Sequence, residues 1–266
     1  MSKGTAGAQS IRRAIAVLRT LATGQEQGVR LADVVAGTGL NRPTAHRILK
    51  VLCEEGTVEQ DPETRRYLVG REVSLLGLAR GTRSPVRAAA EPYLSHLAEQ
   101  IGDTVFLTVR SGADSIGIDR KMGSYPVQVR ALDVGARRPL GVGVAGVAML
   151  ACMPESEAED LVRANAQRLA RHQLTPARLL EQVRAARAKG YAYSAQGIVK
   201  GTSAIAVPVW GPGREAVAAI SVAAIADRLP ASRAPMIAAQ MRAQAERVSQ
   251  RLAASQQARR ARAGRR

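Results

Sequence analysis

Aromatic side chains are scarce. One Trp, one Phe and five Tyr make up 3% of the 266 residues, so any core must be built from Ala, Val, Leu and Ile. There are two cysteines, Cys53 and Cys152, each inside an apolar helical pattern. They read as small buried hydrophobes rather than as a disulfide or a catalytic thiol. The three histidines, His46, His96 and His172, are scattered, and no His/Cys cluster has metal-ligand spacing. No metal and no cofactor are therefore expected. No apolar run reaches the roughly 18 residues of a membrane helix. Residues 1–7 hold no apolar signal core. The expectation is a cytoplasmic, reduced protein without membrane contact. The C-terminal half has no plausible Cys/His partnership and no metal set, and its apolar centre argues against an enzyme.

What the chain has in excess is positive charge and aliphatic surface. Hydrophobic residues make up 46%, enough for one large or two modest domains. The net charge is +17, which suits an anionic partner. It is spread along the chain: residues 1–84 carry 13 Lys+Arg against 8 Asp+Glu, residues 85–250 carry 20 against 14, and residues 251–266 carry 6 against none. A generally Arg-rich composition explains this as well as a nucleic-acid partner does, so charge alone decides nothing.

Hydrophobic spacing divides the chain. Residues 1–9 are small and polar, a flexible N-terminus. Ser10 can cap a helix to Ala22 with a stripe of Ile11, Ile15, Leu18 and Leu21. Gly24–Gly28 is a loop. Leu31–Ala36 is a short helix closed by Gly37 and Gly39. Asn41 is the expected cap of a third helix, with Pro43 in its first turn, where a missing N–H does no harm. Ala45, Ile48, Leu49 and Leu52 form the buried face of that helix. Two strand-like pieces, residues 57–60 and 66–69, flank the turn Asp61-Pro62-Glu63-Thr64-Arg65. Residues 10–70 thus form one domain. Residues 71–84 form a linker helix ending at Gly81-Thr82-Arg83-Ser84-Pro85, and residues 85–254 form a second domain. That domain opens with a helix to about Gln100. Strands are expected at 104–109, 115–119, 127–132, 204–209 and 216–223, and helices at 145–152, 155–170, 176–189 and 235–254. Strands bracketing a helical middle predict an α+β domain with an antiparallel sheet. Residues 255–266 read as a basic, disordered tail.

Two short helices, a Gly-containing turn and a hairpin make a winged helix-turn-helix. The third helix turns Arg42, Thr44, His46, Arg47 and Lys50 away from its apolar stripe. These donors are of the kind that reach base edges and phosphates. Arg65 and Arg66 stand at the expected wing tip. An ordinary solvated helix would carry similar residues; the succession of helix, turn, helix, hairpin and linker helix is the more specific signal for double-stranded DNA.

From about Ser10 to Leu229 the chain resembles the IclR family of bacterial regulators. The resemblance is carried by Gln9-Ser10-Ile11-Arg12-Arg13-Ala14, Leu31-Ala32-Asp33-Val34 and Asn41-Arg42-Pro43-Thr44-Ala45-His46-Arg47-Ile48-Leu49. In the second domain it is carried by Pro139-Leu140, Met149-Leu150-Ala151, Gly190-Tyr191-Ala192, Ala206-Val207-Pro208-Val209 and Ala218-Ala219-Ile220-Ser221-Val222. The resemblance implies a GAF-like effector domain of about six strands. It also implies dimers or tetramers, and a small organic effector that changes promoter occupancy, in a repressor more often than an activator.

This chain departs from the family at the effector site. The stretch after Pro-Leu reads Gly141-Val142-Gly143-Val144-Ala145-Gly146-Val147, without the family's His, Thr and Lys. Ser194-Ala195-Gln196-Gly197 replaces an acidic cluster, Ala204 aligns with a Cys, and of two serines Ser221 remains while the other aligns with Ala223. The departures predict a more apolar pocket around Leu140–Gly146, Ala204, Ser221 and Ala223, with room for a bulkier, aromatic ligand. The other reading is a pocket closed over by Val and Ala, in an effector-independent regulator. Arg130, Arg137 and Arg138 are either partners for an anionic ligand group or surface charges. Asp119-Arg120 could be a local ion pair. Gly141–Gly146 also matches G-x-G-x-x-G, but no βαβ unit surrounds it, so close packing at a helix start is expected instead of a dinucleotide site. A charge-driven, non-specific nucleic-acid-coating protein stays open as a competing reading.

Overall fold

The computed structural model describes residues 8–24, 27–78 and 85–263, with side chains for all of these except Leu78 and residues 259–263. The chain divides into two compact units, Met1–Arg83 and Ser84–Arg266.

The first unit packs α1 (Gln9–Leu21), α2 (Leu31–Thr38) and α3 (Arg42–Glu54) around a small core of Val17, Leu21, Val34, Ala45 and Leu49. The hairpin β1 (Val58–Gln60) and β2 (Tyr67–Val69) follows, then α4 (Arg71–Leu78). Ser10 does not cap α1. The N-cap is Ala8, without a side-chain bond, and Ser10 lies in the first turn. The expected stripe also turns out differently. The core takes Val17 and Leu21, while Ile11 (67% exposed) and Ile15 (42%) form an apolar seam in solvent. The reason is angular: residues four apart share a face, and Val17–Leu21 and Ile11–Ile15 lie on different rows of the helix. Gly37 sits inside α2, and Gly39 alone ends it in the left-handed region (φ 69°). Of the expected linker helix, residues 71–78 are helical; residues 79–84 lie outside the described residues, as do residues 1–7 of the expected flexible N-terminus.

The second unit is a six-stranded antiparallel sheet. Its strands are β3 (Thr104–Ser111), β4 (Asp114–Lys121), β5 (Arg137–Pro139), β6 (Ala192–Ser194), β7 (Thr202–Trp210) and β8 (Ala216–Ile225), in the order β5-β4-β3-β8-β7-β6. One face carries Val105, Leu107, Ile205, Val207, Val209, Ile220 and Val222. It packs against α5 (Pro85–Ile101) and α10 (Ala234–Ala263). The other face carries smaller residues, Ala204, Ala206, Ala219, Ser221 and Ala223, besides Phe106 and Thr108. Over it lie α6 (Val144–Ala151), α9 (Pro176–Lys189) and the segment 122–136.

Four expectations are corrected here. Residues 127–132 are not a strand. Their alternation is real, but β4 pairs with β5 instead. The segment is held by Gln128, whose Nε2 donates to the carbonyls of Gly102 (3.0 Å) and Tyr125 (2.6 Å), while its Oε1 accepts from the Thr104 hydroxyl (2.8 Å). The helix expected over 155–170 breaks into α7 (Glu155–Ala164) and α8 (Ala166–Ala170). Asn165, 2% exposed, sits at the break and donates its Nδ2 to the Ala113 carbonyl at 2.7 Å, anchoring the break to the sheet. Asp119 and Arg120 do not pair with each other: Asp119 meets Arg87 and Arg120 meets Asp133. Finally, the tail from 255 is not disordered as far as it is described, because α10 continues to Ala263; the Ala, Gln and Arg there are strong helix formers. Residues 264–266 lie outside the described residues.

An ion pair between buried Asp103 and half-buried Arg228 ties the helical face to segment 122–136. Arg228 bonds both oxygens of Asp103 (2.8 and 3.1 Å) and lies over the Tyr125 ring at 3.8 Å. The Asp103 carboxylate holds the Arg228 guanidinium pKa above its ordinary value. Asp103→Ala should destabilise the second unit by about 1–3 kcal/mol, read as a lower urea midpoint. The figure stays below that of a fully buried pair because Arg228 remains 25% exposed.

The wing turn offers a pH-dependent test. The Asp61 carboxylate accepts from Thr64 N–H (2.6 Å), Thr64 O–H (2.8 Å) and Glu63 N–H (3.1 Å). These bonds, chiefly those from Thr64, hold its pKa below the ordinary carboxylate value. Its contribution to the turn is therefore complete above about pH 4 and is lost as pH falls through the lowered native value. Amide shifts of Glu63 and Thr64 should titrate below that ordinary value, and in Asp61→Ala they should not titrate with this group at all.

Candidate nucleic-acid interface and ligand cavity

Two places gather functional side chains. The first is α3. Asn41, in extended backbone (φ −69°, ψ 154°), accepts the Thr44 N–H on its Oδ1 at 2.9 Å, which fixes where the helix begins. Pro43 sits in the first turn. Ala45 and Leu49, both fully buried, lock the helix rotation; Ile48 and Leu52 are half-buried beside them. That leaves Arg42, Pro43, His46, Arg47 and Lys50 exposed and Thr44 half-buried, so the expected α3 residues form one continuous surface. Lys50 also lies 3.9 Å from Glu54, a solvated pair of little energetic weight.

The two wing arginines part company. Arg65 is exposed in the turn with φ 56°, a cation at the tip with no ion pair among the described residues. Arg66 is half-buried, and its guanidinium donates to the carbonyls of Gly28 (3.2 Å) and Gln27 (3.4 Å). It braces the loop before α2, next to the Val29–Tyr67 bridge, rather than reaching outward.

The second place is a cavity of about 560 Å³ on the small-residue face of the sheet. It is open, so the reading of a pocket closed by Val and Ala does not hold. Gly141, Val142, Gly143, Val144, Ala145, Ala204, Ser221 and Ala223 all line it. Leu140 and Gly146 do not; both are buried just behind the wall. The glycine run owes its spacing to close packing. A side chain at Gly141 (φ 104°) would strike Leu179, and one at Gly146 would lie 2.4 Å from the Gly141 nitrogen. The strand before the run is β5, at the edge of an antiparallel sheet, so the dinucleotide context is absent.

Of the three candidate arginines only Arg138 lines the cavity. Arg130 is exposed and outside it, which corrects its place among the effector residues. Its segment is no strand, so nothing turns it toward the sheet. Arg137 is bound to Asp114 at 2.8 Å. Arg138 is half-buried and donates to the Ala131 carbonyl at 2.6 Å; burial holds its pKa below the ordinary value.

The cavity is also less apolar than expected. Its lining includes Phe106, Leu132, Val142, Val144 and Val147, and also His172, Arg178, Gln182 and Lys189, which the sequence pattern does not mark as a site. Arg178, Gln182 and Lys189 recur at helical spacing on one face of α9, a polar stripe that borders the cavity, with Arg178 and Lys189 still exposed. Among the described lining residues there is no carboxylate. Burial first, then the charges of Arg138 and Arg168, hold the His172 pKa below the ordinary histidine value. Thr108, 2% exposed, also lines the cavity, with a hydroxyl that has no hydrogen-bond partner among the described residues. Cys53 and Cys152 are half-buried, and burial raises both thiols, Cys152 to about 11, so both are protonated at neutral pH. Among the described residues no His, Cys, Asp and Glu group is arranged to hold a metal ion, and no helix is long and apolar enough to cross a membrane.

Comparison with known proteins agrees with this geometry. The family described as IclR helix-turn-helix domain matches residues 10–62, and the one described as Bacterial transcriptional regulator IclR C-terminal matches residues 80–250. The glycerol operon regulatory protein of Streptomyces griseus is 33% identical over 227 residues, covering 85% of this chain and 89% of that protein. The transcriptional repressor IclR of Escherichia coli (strain K12) is 26% identical over 229 residues, covering 85% and 83%. A crystal structure of an IclR transcriptional regulator from Alicyclobacillus acidocaldarius superposes with a TM-score of 0.71 at 25% identity, covering 91% of this chain and 98% of that one. With both family models matched and the C-terminal one spanning most of the second unit, the chain belongs to the IclR family of transcriptional regulators, its first unit a helix-turn-helix DNA-binding domain and its second an effector-binding domain.

Proposed function

We propose that this protein is a repressor that reads its operator through Arg42, Thr44, His46 and Arg47, and that a small organic anion with an apolar, aromatic body sets its occupancy. The observation that carries the effector reading is the make-up of the cavity lining. Among the described lining residues Arg138, His172, Arg178 and Lys189 supply positive or protonatable groups without a carboxylate, beside Phe106, Leu132 and valines. The first turn of α6 adds the partial positive charge of a helix N-terminus. Gly141, Gly143, Ala204 and Ala223 keep space that larger side chains would fill.

The chain acts as a dimer or a higher oligomer. This reading is supported by apolar side chains left in solvent on α1 (Ile11, Ile15) and α4 (Leu75, Leu76), which a second copy would cover. A two-fold dimer presents two α3 helices to successive major grooves about 34 Å apart. The effector changes occupancy only by the ratio of its affinities for the arrangements that do and do not fit the operator.

Arg47→Ala should weaken binding to the protein's own upstream DNA by roughly 5- to 100-fold, as loss of one base contact does, with less change on random DNA at equal salt. Unchanged affinity for the upstream fragment in a gel-shift titration would remove Arg47 from the recognition surface. For the cavity, benzoate and phenylacetate should raise the melting temperature, with benzamide, pyruvate and glyoxylate doing less. An anion beside His172 raises its pKa, so benzoate affinity should increase from pH 7.5 to pH 6. A shift with pyruvate or glyoxylate but none with benzoate would overturn the aromatic reading.

A further inference from the structure

The C-terminal end of α10 is a surface that the family relationship does not explain. The C-terminal family model ends at residue 250, yet the helix runs on to Ala263. Up to that end α10 is an ordinary core helix: Ile237, Met241, Ala245, Val248 and Leu252 are buried against the sheet and α5. Leu252 is the last of them. From Ala253 to Arg266 no side chain is both apolar and larger than alanine. The described side chains from Ala254 to Ala258 are exposed. From Ala253 to Ala263 the helix extends about 16 Å further at 1.5 Å per residue.

Residues 251–266 hold six arginines and no acidic residue, about a third of the net charge of the chain. Composition restricts what such an arm can meet. Without an apolar stripe it cannot lie in a membrane surface as an amphipathic helix does. For the same reason it cannot fill a hydrophobic groove or form a coiled coil. What remains favourable is a polyanion whose charge offsets the repulsion among the arginines. Guanidinium groups suit phosphate oxygens because their donors form a planar fork.

We propose that the end of α10, helical to Ala263, together with the arginines of residues 259–266, binds the phosphate backbone of double-stranded DNA, a second, sequence-independent contact besides α3 and the wing. The arm adds affinity on any sequence and leaves the choice of operator to α3. Each phosphate it neutralises releases a counterion, so its signature is salt dependence.

The test uses the full-length protein and a variant carrying Arg259→Gln, Arg260→Gln, Arg262→Gln, Arg265→Gln and Arg266→Gln, which keeps helix-forming residues. Binding to the upstream duplex and to a random duplex of equal length is followed by fluorescence anisotropy from about 50 to 300 mM KCl. A shortened chain ending at Ala258 serves as a second variant, and melting temperatures check both. The expected result is a slope of log K against log[KCl] shallower by roughly 2–4, because each phosphate contact contributes about 0.9. Affinity should fall on the order of 10- to 100-fold for both duplexes alike, with the upstream-to-random ratio preserved. Slopes and affinities equal to those of the parent in both variants would overturn the proposal, including the case in which the arm serves an RNA or an acidic protein. A failure of the α3 reading would appear differently, as equal binding of the parent protein to both duplexes.

Discussion

The second unit depends on a sheet whose two faces differ in side-chain size. β8 is the central case, hydrogen-bonded to β3 on one side and β7 on the other. Its alternate residues Ala218, Ile220, Val222 and Ala224 enter the core under α5 and α10. Ala219, Ser221 and Ala223 point the other way. Large aliphatic groups on the first face fill the space to the helices, as close packing requires. Small groups on the second cannot fill the distance to α6 and α9, and that shortfall is the cavity. The same alternation that stabilises the domain therefore creates its ligand site.

The rim of the cavity follows from two further constraints. Gly141 and Gly146 let the chain entering α6 fold back on itself with no room for a Cβ, and this brings the start of α6 to the cavity edge. Segment 122–136 forms no strand, and Gln128, the Asp103–Arg228–Tyr125 cluster and backbone bonds to Gly102 and Gly117 hold it over the sheet. Buried backbone groups need partners, and here side chains supply part of what a strand would have drawn from its neighbours. The DNA-binding unit solves a different problem with few atoms. Two fully buried contacts, Ala45 and Leu49, and one cap, Asn41, fix both the rotation and the start of α3.

Legibility differed between the units for a physical reason. In the first, the information is local. Asn41 ahead of Pro43, the spacing of Ala45 and Leu49, and the Asp61–Arg65 turn are each decided within a few residues, and the structure has them where the pattern indicates. In the second, the ends of β7 and β8 and the bounds of α9 could be read closely, because long runs of one period resist reinterpretation. The short edge strands β5 and β6 could not, since three residues carry no period.

The sequence by itself determined the helix-turn-helix and its hairpin, the exposed row of Arg42, His46, Arg47 and Lys50, the small residues facing the cavity, and the excess of charge beyond Leu252. Those features depend on residue type and on the repeat of a single helix or strand. Only the tertiary structure decided that Arg138 turns inward while Arg130 does not, that Arg66 braces a loop, and that the polar stripe of α9 lies along the cavity. Each of those outcomes depends on which distant segment packs alongside. A solvated lysine and one that lines a cavity have the same neighbours in sequence and differ only in what the fold places opposite them.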